Sequence, residues 1–374
     1  MCMLTETVRS NAARRADAAH QLRVLPLLVL AALLGGCGTP YLMQAASGEW
    51  HVMHARAPID GVIADPHTSA ELRARLTLVR EARAFASHDL GLPDNDSYRT
   101  YADIQRPYVV WNVVAVPEFS VVPHHWCFPV AGCVAYRGYF HEDSARKFGA
   151  GMAKDGYDVA IDGVPAYSTL GRFDDPVLSS MLRYGDDELA ATIFHELAHQ
   201  LLYVKDDSAF NEAFATTVED AGLERWLAHL GVPGRIQEFR IEEAREAALI
   251  KVLADARAQL ATLYASGGSP ELMRARKAEI FAALATQIGA LEKREGVTYP
   301  LYDEWIREGL NNARLASVAT YYDCVPGFKR LLVKEDNDLG RFYAAARELA
   351  ALPRKERHAR LCGPAAAAAD AEQD

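Results

Sequence analysis

The chain has 374 residues, 50 acidic against 40 basic, for a net charge of −10. That balance argues against nucleic acid as a partner and against a basic surface that would hold the protein to a membrane. With its N-terminal segment set aside, a length of about 340 residues is enough to bury a large core.

Arg14, Arg15 and Arg23 precede an apolar run from Val24 to Leu34, which ends in Leu34-Gly35-Gly36-Cys37. The pattern predicts a lipoprotein signal peptide over residues 1–36, leaving Cys37 as the first, lipid-modified residue. The run is too short for a transmembrane helix, and its basic flank and small terminal residues disfavour a buried core helix. Removing 1–36 takes away four arginines and two acids and moves the net charge to −12. Membrane attachment is then expected from acyl chains on Cys37. Gly38, in place of an acid, favours the outer membrane, so the expected location is the bacterial cell envelope, facing the periplasm.

Residues 37–374 read as a single domain of mainly helical α+β class, with a small mixed or antiparallel sheet. Residues 68–92 read as a helix, and Tyr108–Val116 as a strand from its β-branched and aromatic content. Short strands are expected around 119–122, 134–139 and 157–161, and helices dominate after residue 174. Within the domain, residues 235–295 carry two long charged helical runs, Ile236–Ala265 and Pro270–Glu295, broken at Ser266-Gly-Gly-Ser-Pro270. They predict a helical hairpin that acts as a brace or, alternatively, as a wall or lid over a cleft. The tail Ala365–Ala369 is expected to be frayed and solvated.

The strongest chemical signal is His195-Glu196-Leu197-Ala198-His199. Acids at 186–188 and apolar residues before the motif read as a largely buried helix with a favourable dipole. Histidines four apart share one helical face and can hold one zinc ion, with Glu196 beside them as general base. Without a partner, burying these groups would be costly.

Glu212 is the candidate third ligand. If the chain leaves the first helix near Tyr203 and starts a second at Asp207 or Ser208, Glu212 returns about 6 Å, as far as the chain had travelled past His199. Glu219, on the same face, would overshoot the metal by about 10 Å. It, or Asp220, is placed instead where it could accept a hydrogen bond from a ligating imidazole, or else lies on a solvated face.

His195-Glu-Leu-Ala-His-Gln200 followed by Asn211-Glu-Ala-Phe-Ala215 and Val218-Glu219 resembles the gluzincin pattern, in wording close to aminopeptidase N type enzymes, although their Gly-Ala-Met-Glu-Asn motif is absent. The chain is more similar to a family of bacterial zinc aminopeptidases, many of them lipoproteins. That match includes Tyr41–Gln44, Tyr108–Val113, Trp126–Val130, Cys133, Tyr136–Phe140, Asp158–Gly171, Leu310–Leu315, Ala319–Tyr321 and Val325-Pro326. The resemblance implies a gluzincin-like pair of metal helices, one zinc ion and a peptide substrate. It also implies that Asp158–Gly171 stands where gluzincins carry a substrate-pairing edge strand; an ordinary turn is the alternative. Related enzymes use a phenol from a downstream helix to stabilise the oxyanion, which makes Tyr321 and Tyr322 candidates beside the alternative of core aromatics.

Of six cysteines, Cys2 leaves with the signal and Cys37 takes lipid. The remaining four allow three connectivities in an oxidising compartment, and sequence proximity favours Cys127 with Cys133 and Cys324 with Cys362. A second zinc site near His124 and His125 is disfavoured by the absence of C-x-x-C spacing. The expected function is a membrane-anchored zinc peptidase, an aminopeptidase in the first instance. The alternatives are a zinc endopeptidase, a cell-wall amidase, or a non-catalytic anchored binding protein with structural zinc.

Overall fold

The computed structural model describes residues 39–128 and 132–362. The signal segment, Cys37 and the alanine-rich tail lie outside the described residues. Two units divide the chain, 1–51 and 52–374. Helix α1 (Thr39–His54) runs over the boundary, and every later element belongs to the second unit.

The architecture is mainly helical, with three small sheets. Strand β1 (Arg56–Pro58) pairs antiparallel with β2 (Thr100–Ala102), which pairs parallel with β8 (Val177–Leu178). In the second sheet β3 (Val110–Pro117) lies between β6 (Arg137–Tyr139) and β7 (Tyr157–Val164), antiparallel to both. Helices α4 (Glu142–Lys154) and α10 (Asn312–Tyr322) both pack on β3. A central strand covered in this way is a continuous apolar run rather than an alternation. The third sheet is the hairpin β4 (Trp126–Phe128) and β5 (Gly132–Val134), in which Cys127 faces Cys133.

The strand expected around 119–122 is a turn. Pro117 and Pro123 bracket it, Ser120 N donates to Pro117 O at 3.1 Å, and Val122 N donates to the Ser120 hydroxyl at 2.9 Å. The stretch expected as one strand over 134–139 is divided between β5 and β6. Beyond Val164 the chain leaves the sheet, so residues 165–171 form a loop and not a continued edge strand. Pro165 and the left-handed Leu170 (φ 59°) and Gly171 (φ 72°) are incompatible with extended pairing.

The short helix α2 (Ile59–Ala64) rests on α3 (Ala70–His88). Helix α3 packs on α5 (Asp186–Leu201), which packs along α6 (Ser208–His229). Acids at 186–188 favour the start of α5, where the Glu188 carboxylate also accepts from Gly185 N at 2.6 Å. Gly222 on α6 lets the two helices close up: a Cβ there would stand 3.0 Å from the Phe194 ring and 2.9 Å from Leu90. The other side of α6 is anchored by Phe210 and Phe214 against Phe328 of α11 (Val325–Lys334) and Phe342 of α12 (Leu339–Ala350), all fully buried. Each such ring stabilises the fold by about 1.5–3 kcal/mol.

The hairpin consists of α7 (Pro233–Ser266) and α8 (Pro270–Glu295), reversed at Gly267 and Gly268, both at positive φ. Its seam joins Leu249, Leu253, Ala256 and Leu260 to Phe281, Leu284, Ile288 and Leu291 at alternating spacings of three and four. Lys277 Nζ ties α8 to the sheet, 2.7 Å from Asp158 Oδ2 and 2.9 Å from Glu118 O. The short helices α9 (Pro300–Glu308) and α13 (Arg354–Leu361) complete the described chain.

Candidate metal centre

Helix α5 ends at Leu201, and Asp207 caps α6 by accepting from Phe210 N at 3.2 Å. Between them Asn211 holds the turn: its Oδ1 accepts from Val204 N at 2.7 Å and its Nδ2 donates to Val204 O at 2.8 Å. This short reversal brings Glu212 level with the two histidines.

His195 Nε2 lies 3.1 Å from His199 Nε2, and Glu212 Oε2 stands 3.4 Å from the first and 3.5 Å from the second. Glu219 Oε2 lies 2.8 Å from His195 Nδ1. A proton on Nδ1 satisfies the carboxylate and leaves a lone pair on Nε2. With His199 in the same tautomer, three lone-pair atoms would be turned toward one point. A tetrahedral edge is about 1.6 times the bond length, so zinc bonds of about 2.0–2.1 Å require donor spacings of about 3.3–3.4 Å. The donor set fits a tetrahedral metal ion on one triangular face. His199 Nδ1 is buried without a hydrogen-bond partner among the described residues.

The carboxylates that would draw a cation to the site also favour a second proton on His195, which a bound metal ion would displace from Nε2. Burial opposes the charge on His195, but Glu212 and Glu219 outweigh it and hold the imidazole well above its ordinary pKa. Burial likewise opposes the charge on Glu212, and the two histidines overcome it, holding the carboxyl at about 2. Burial raises Glu196, outweighing the charges of His195 and His199. A carboxylate raised in this way is suited to taking up a proton near neutral pH.

Among the other residues singled out in the sequence, Glu219 rather than Asp220 meets the imidazole, because Asp220 turns to Lys329 at 2.8 Å. Tyr321 is held far above the ordinary phenol range by burial and by the charges of Glu212 and Glu196, which puts it within electrostatic reach of the centre. The Tyr322 hydroxyl points elsewhere, donating to Glu246 Oε1 at 2.7 Å. His124 packs against Trp126 and Tyr157. Disulfides join Cys127 to Cys133 and Cys324 to Cys362. His358 lies near the second pair, but its sulfurs are bonded to each other and His358 Nε2 is 2.8 Å from Asp207 Oδ1.

The brace on the turn between α5 and α6 is not legible in the sequence. Asp207, fully buried, meets Arg357 Nε at 2.6 Å and His358 from α13. Asp206, in the left-handed region at φ 67°, accepts from Cys133 N at 2.6 Å. These partners are 73 to 151 residues away in the chain, so no local pattern announces them.

A family model described as "Putative aminopeptidase" matches residues 40–361, spanning the metal centre and every element around it. This chain belongs to that family. No curated protein and no solved structure matches the chain. The aminopeptidase family membership supports a peptidase-like function, and within it His195, His199 and Glu212 are a group able to hold a metal ion.

Proposed function

We propose that this protein is a lipid-anchored, zinc-dependent peptidase of the bacterial cell envelope, cleaving peptides as an aminopeptidase. The observation that carries the reading is the triangle of His195, His199 and Glu212 acceptor atoms, spaced as zinc requires, with a buried Glu196 one residue from the first ligand. Zinc suits two imidazoles and a carboxylate. When bound, it acidifies a water molecule and polarises a carbonyl.

The chain's own residues supply the remainder. Glu196 takes the proton of the attacking water and passes it to the leaving amine. Glu219 fixes the His195 tautomer, so that Nε2 presents a lone pair. The Tyr321 phenol, kept protonated by its surroundings, donates to the developing oxyanion. The loop after β7 lines the peptide-binding side. Anchoring rests on Cys37 and the apolar segment before it, and it places the enzyme in the outer membrane facing the periplasm.

Zinc analysis combined with hydrolysis of matched free-amino and amino-blocked peptides tests this. The expected result is one zinc per chain and cleavage of the free-amino peptides alone. Equal cleavage of blocked peptides would make the protein an endopeptidase. Cleavage of cell-wall amides in place of peptides would make it an amidase. Bound zinc with no hydrolysis of either, and no change on Glu196→Gln, would leave a binding protein with structural zinc.

A further inference from the structure

Glu196 and Gln200 are four residues apart on α5, so they share a stripe of the helix turned by about 100° from that of His195 and His199. The loop that leaves β7 at Pro165 lies against this second stripe. Gln200 Nε2 donates to Asp175 Oδ2 at 3.4 Å and to Ser97 Oγ at 3.2 Å, while its Oε1 accepts from Asn95 Nδ2 at 2.7 Å. A Cβ on Gly171 would meet Gln200 Oε1 at 3.4 Å, so the loop backbone packs directly on the Gln200 side chain.

Asp175 is only 2% exposed, and its Oδ2 also accepts from Thr169 N at 3.0 Å, which closes the turn from Thr169 to Asp175 on itself. Inside the turn Leu170 is left-handed. Tyr98 provides a second hold. It too is left-handed (φ 63°) and buried, and its amide donates to Asp175 O at 2.6 Å. Its buried phenol lies within electrostatic reach of Glu196 and Asp175. Non-glycine residues persist in such conformations only where their surroundings over-determine them, and they cluster at functional sites.

We propose that Gln200 is a positioning residue, which together with Asp175 holds the Ser168–Asp175 loop beside Glu196 and so fixes the wall against which a peptide substrate binds. The proposal rests on the peptidase reading above and concerns a contact separate from the three metal donors. A buried carboxylate at 175 needs donors, and Gln200 supplies one. Glutamate at 200 would set two carboxylates against each other. Asparagine at 175 would then restore a donor to face it while still accepting from Thr169.

The test compares Gln200→Glu with Gln200→Glu/Asp175→Asn in zinc-loaded protein, reading peptide kinetics and the rate of tryptic cleavage after the exposed Arg172. Gln200→Glu is expected to raise KM about tenfold with kcat per bound zinc unchanged, and to speed cleavage after Arg172 by a similar factor. The second substitution is expected to reverse both. If Gln200→Glu does not fold, Gln200→Met gives the same two readouts. An unchanged KM and cleavage rate, or a kcat that falls in step with zinc content, overturns the proposal, as does failure of Asp175→Asn to restore. Wild-type protein that cleaves no peptide defeats the peptidase reading and the substrate half of this one. The cleavage rate after Arg172 still decides whether Gln200 holds the loop.

Discussion

The carboxylate of Glu219 and the Nδ1 atom of His195 stand 2.8 Å apart, which sets the protonation of a ring whose other nitrogen faces Glu212. On the zinc reading Glu219 is expected to contribute to metal affinity without meeting the metal. Glu219→Ala is expected to weaken zinc binding by about tenfold to a hundredfold. Competition with a chromophoric chelator measures it, and affinity equal to wild type would remove Glu219 from the site.

Glu196 is expected to be dispensable for metal and indispensable for turnover. Glu196→Gln keeps the size and burial of the side chain but cannot take a proton, so kcat is predicted to fall by about 10²–10⁴ with zinc content unchanged. Metal analysis on the same sample as the rate measurement separates this outcome from simple metal loss.

The two adjacent tyrosines of α10 are predicted to differ. Tyr321→Phe removes a donor near Glu212 and Glu196, with an expected loss of about 10²–10³ in kcat. Tyr322→Phe removes a hydroxyl that bonds Glu246 and leaves kcat as it was. Equal losses from both would point to a packing effect.

Much of this centre is legible in the sequence because its signals are local. The spacing of His195 and His199 is one helical turn, and the short reversal at 202–207 makes the place of Glu212 a matter of helix rise. The long hairpin shows itself through Gly267-Gly268 and its three-four seam. Strands β1, β2 and β8 are two or three residues long, too short for any period to show, and α4 hides behind two glycines in Glu142–Lys154. The links from Gln200 to Asp175 and from Asp207 to His358 join residues remote in sequence, and only the folded chain brings them together.

Asp207 gives a pH dependence. Burial opposes its charge, but His358 and Arg357 outweigh this and depress its pKa. A depressed carboxyl contributes stability above its unfolded value, about 3.9, and loses that contribution as pH falls through the folded value. Asp207→Asn still caps α6 but leaves Arg357 buried without its counter-charge, at a cost of about 3–5 kcal/mol at neutral pH. Thermal unfolding of both proteins should show a gap that is constant above pH of about 5 and narrows as the pH falls below about 4. A gap that widens toward acid would refute the assignment.

The two disulfides lie on sequence segments before and after the turn at Asp206 and Asp207, and both bear on it. The bridge from Cys127 to Cys133 presents an amide to Asp206, and the bridge from Cys324 to Cys362 holds the end of the helix whose Arg357 and His358 grip Asp207. Asp206 and Asp207 form the joint that sets Glu212 against the histidines. We expect oxidation to precede metal loading: a reduced chain keeps both imidazoles on one helix but holds its third donor on a loose hinge. On that expectation the thiols act as a clock for metal loading. Equal zinc affinity in the reduced and oxidised forms would show that the clock does not run.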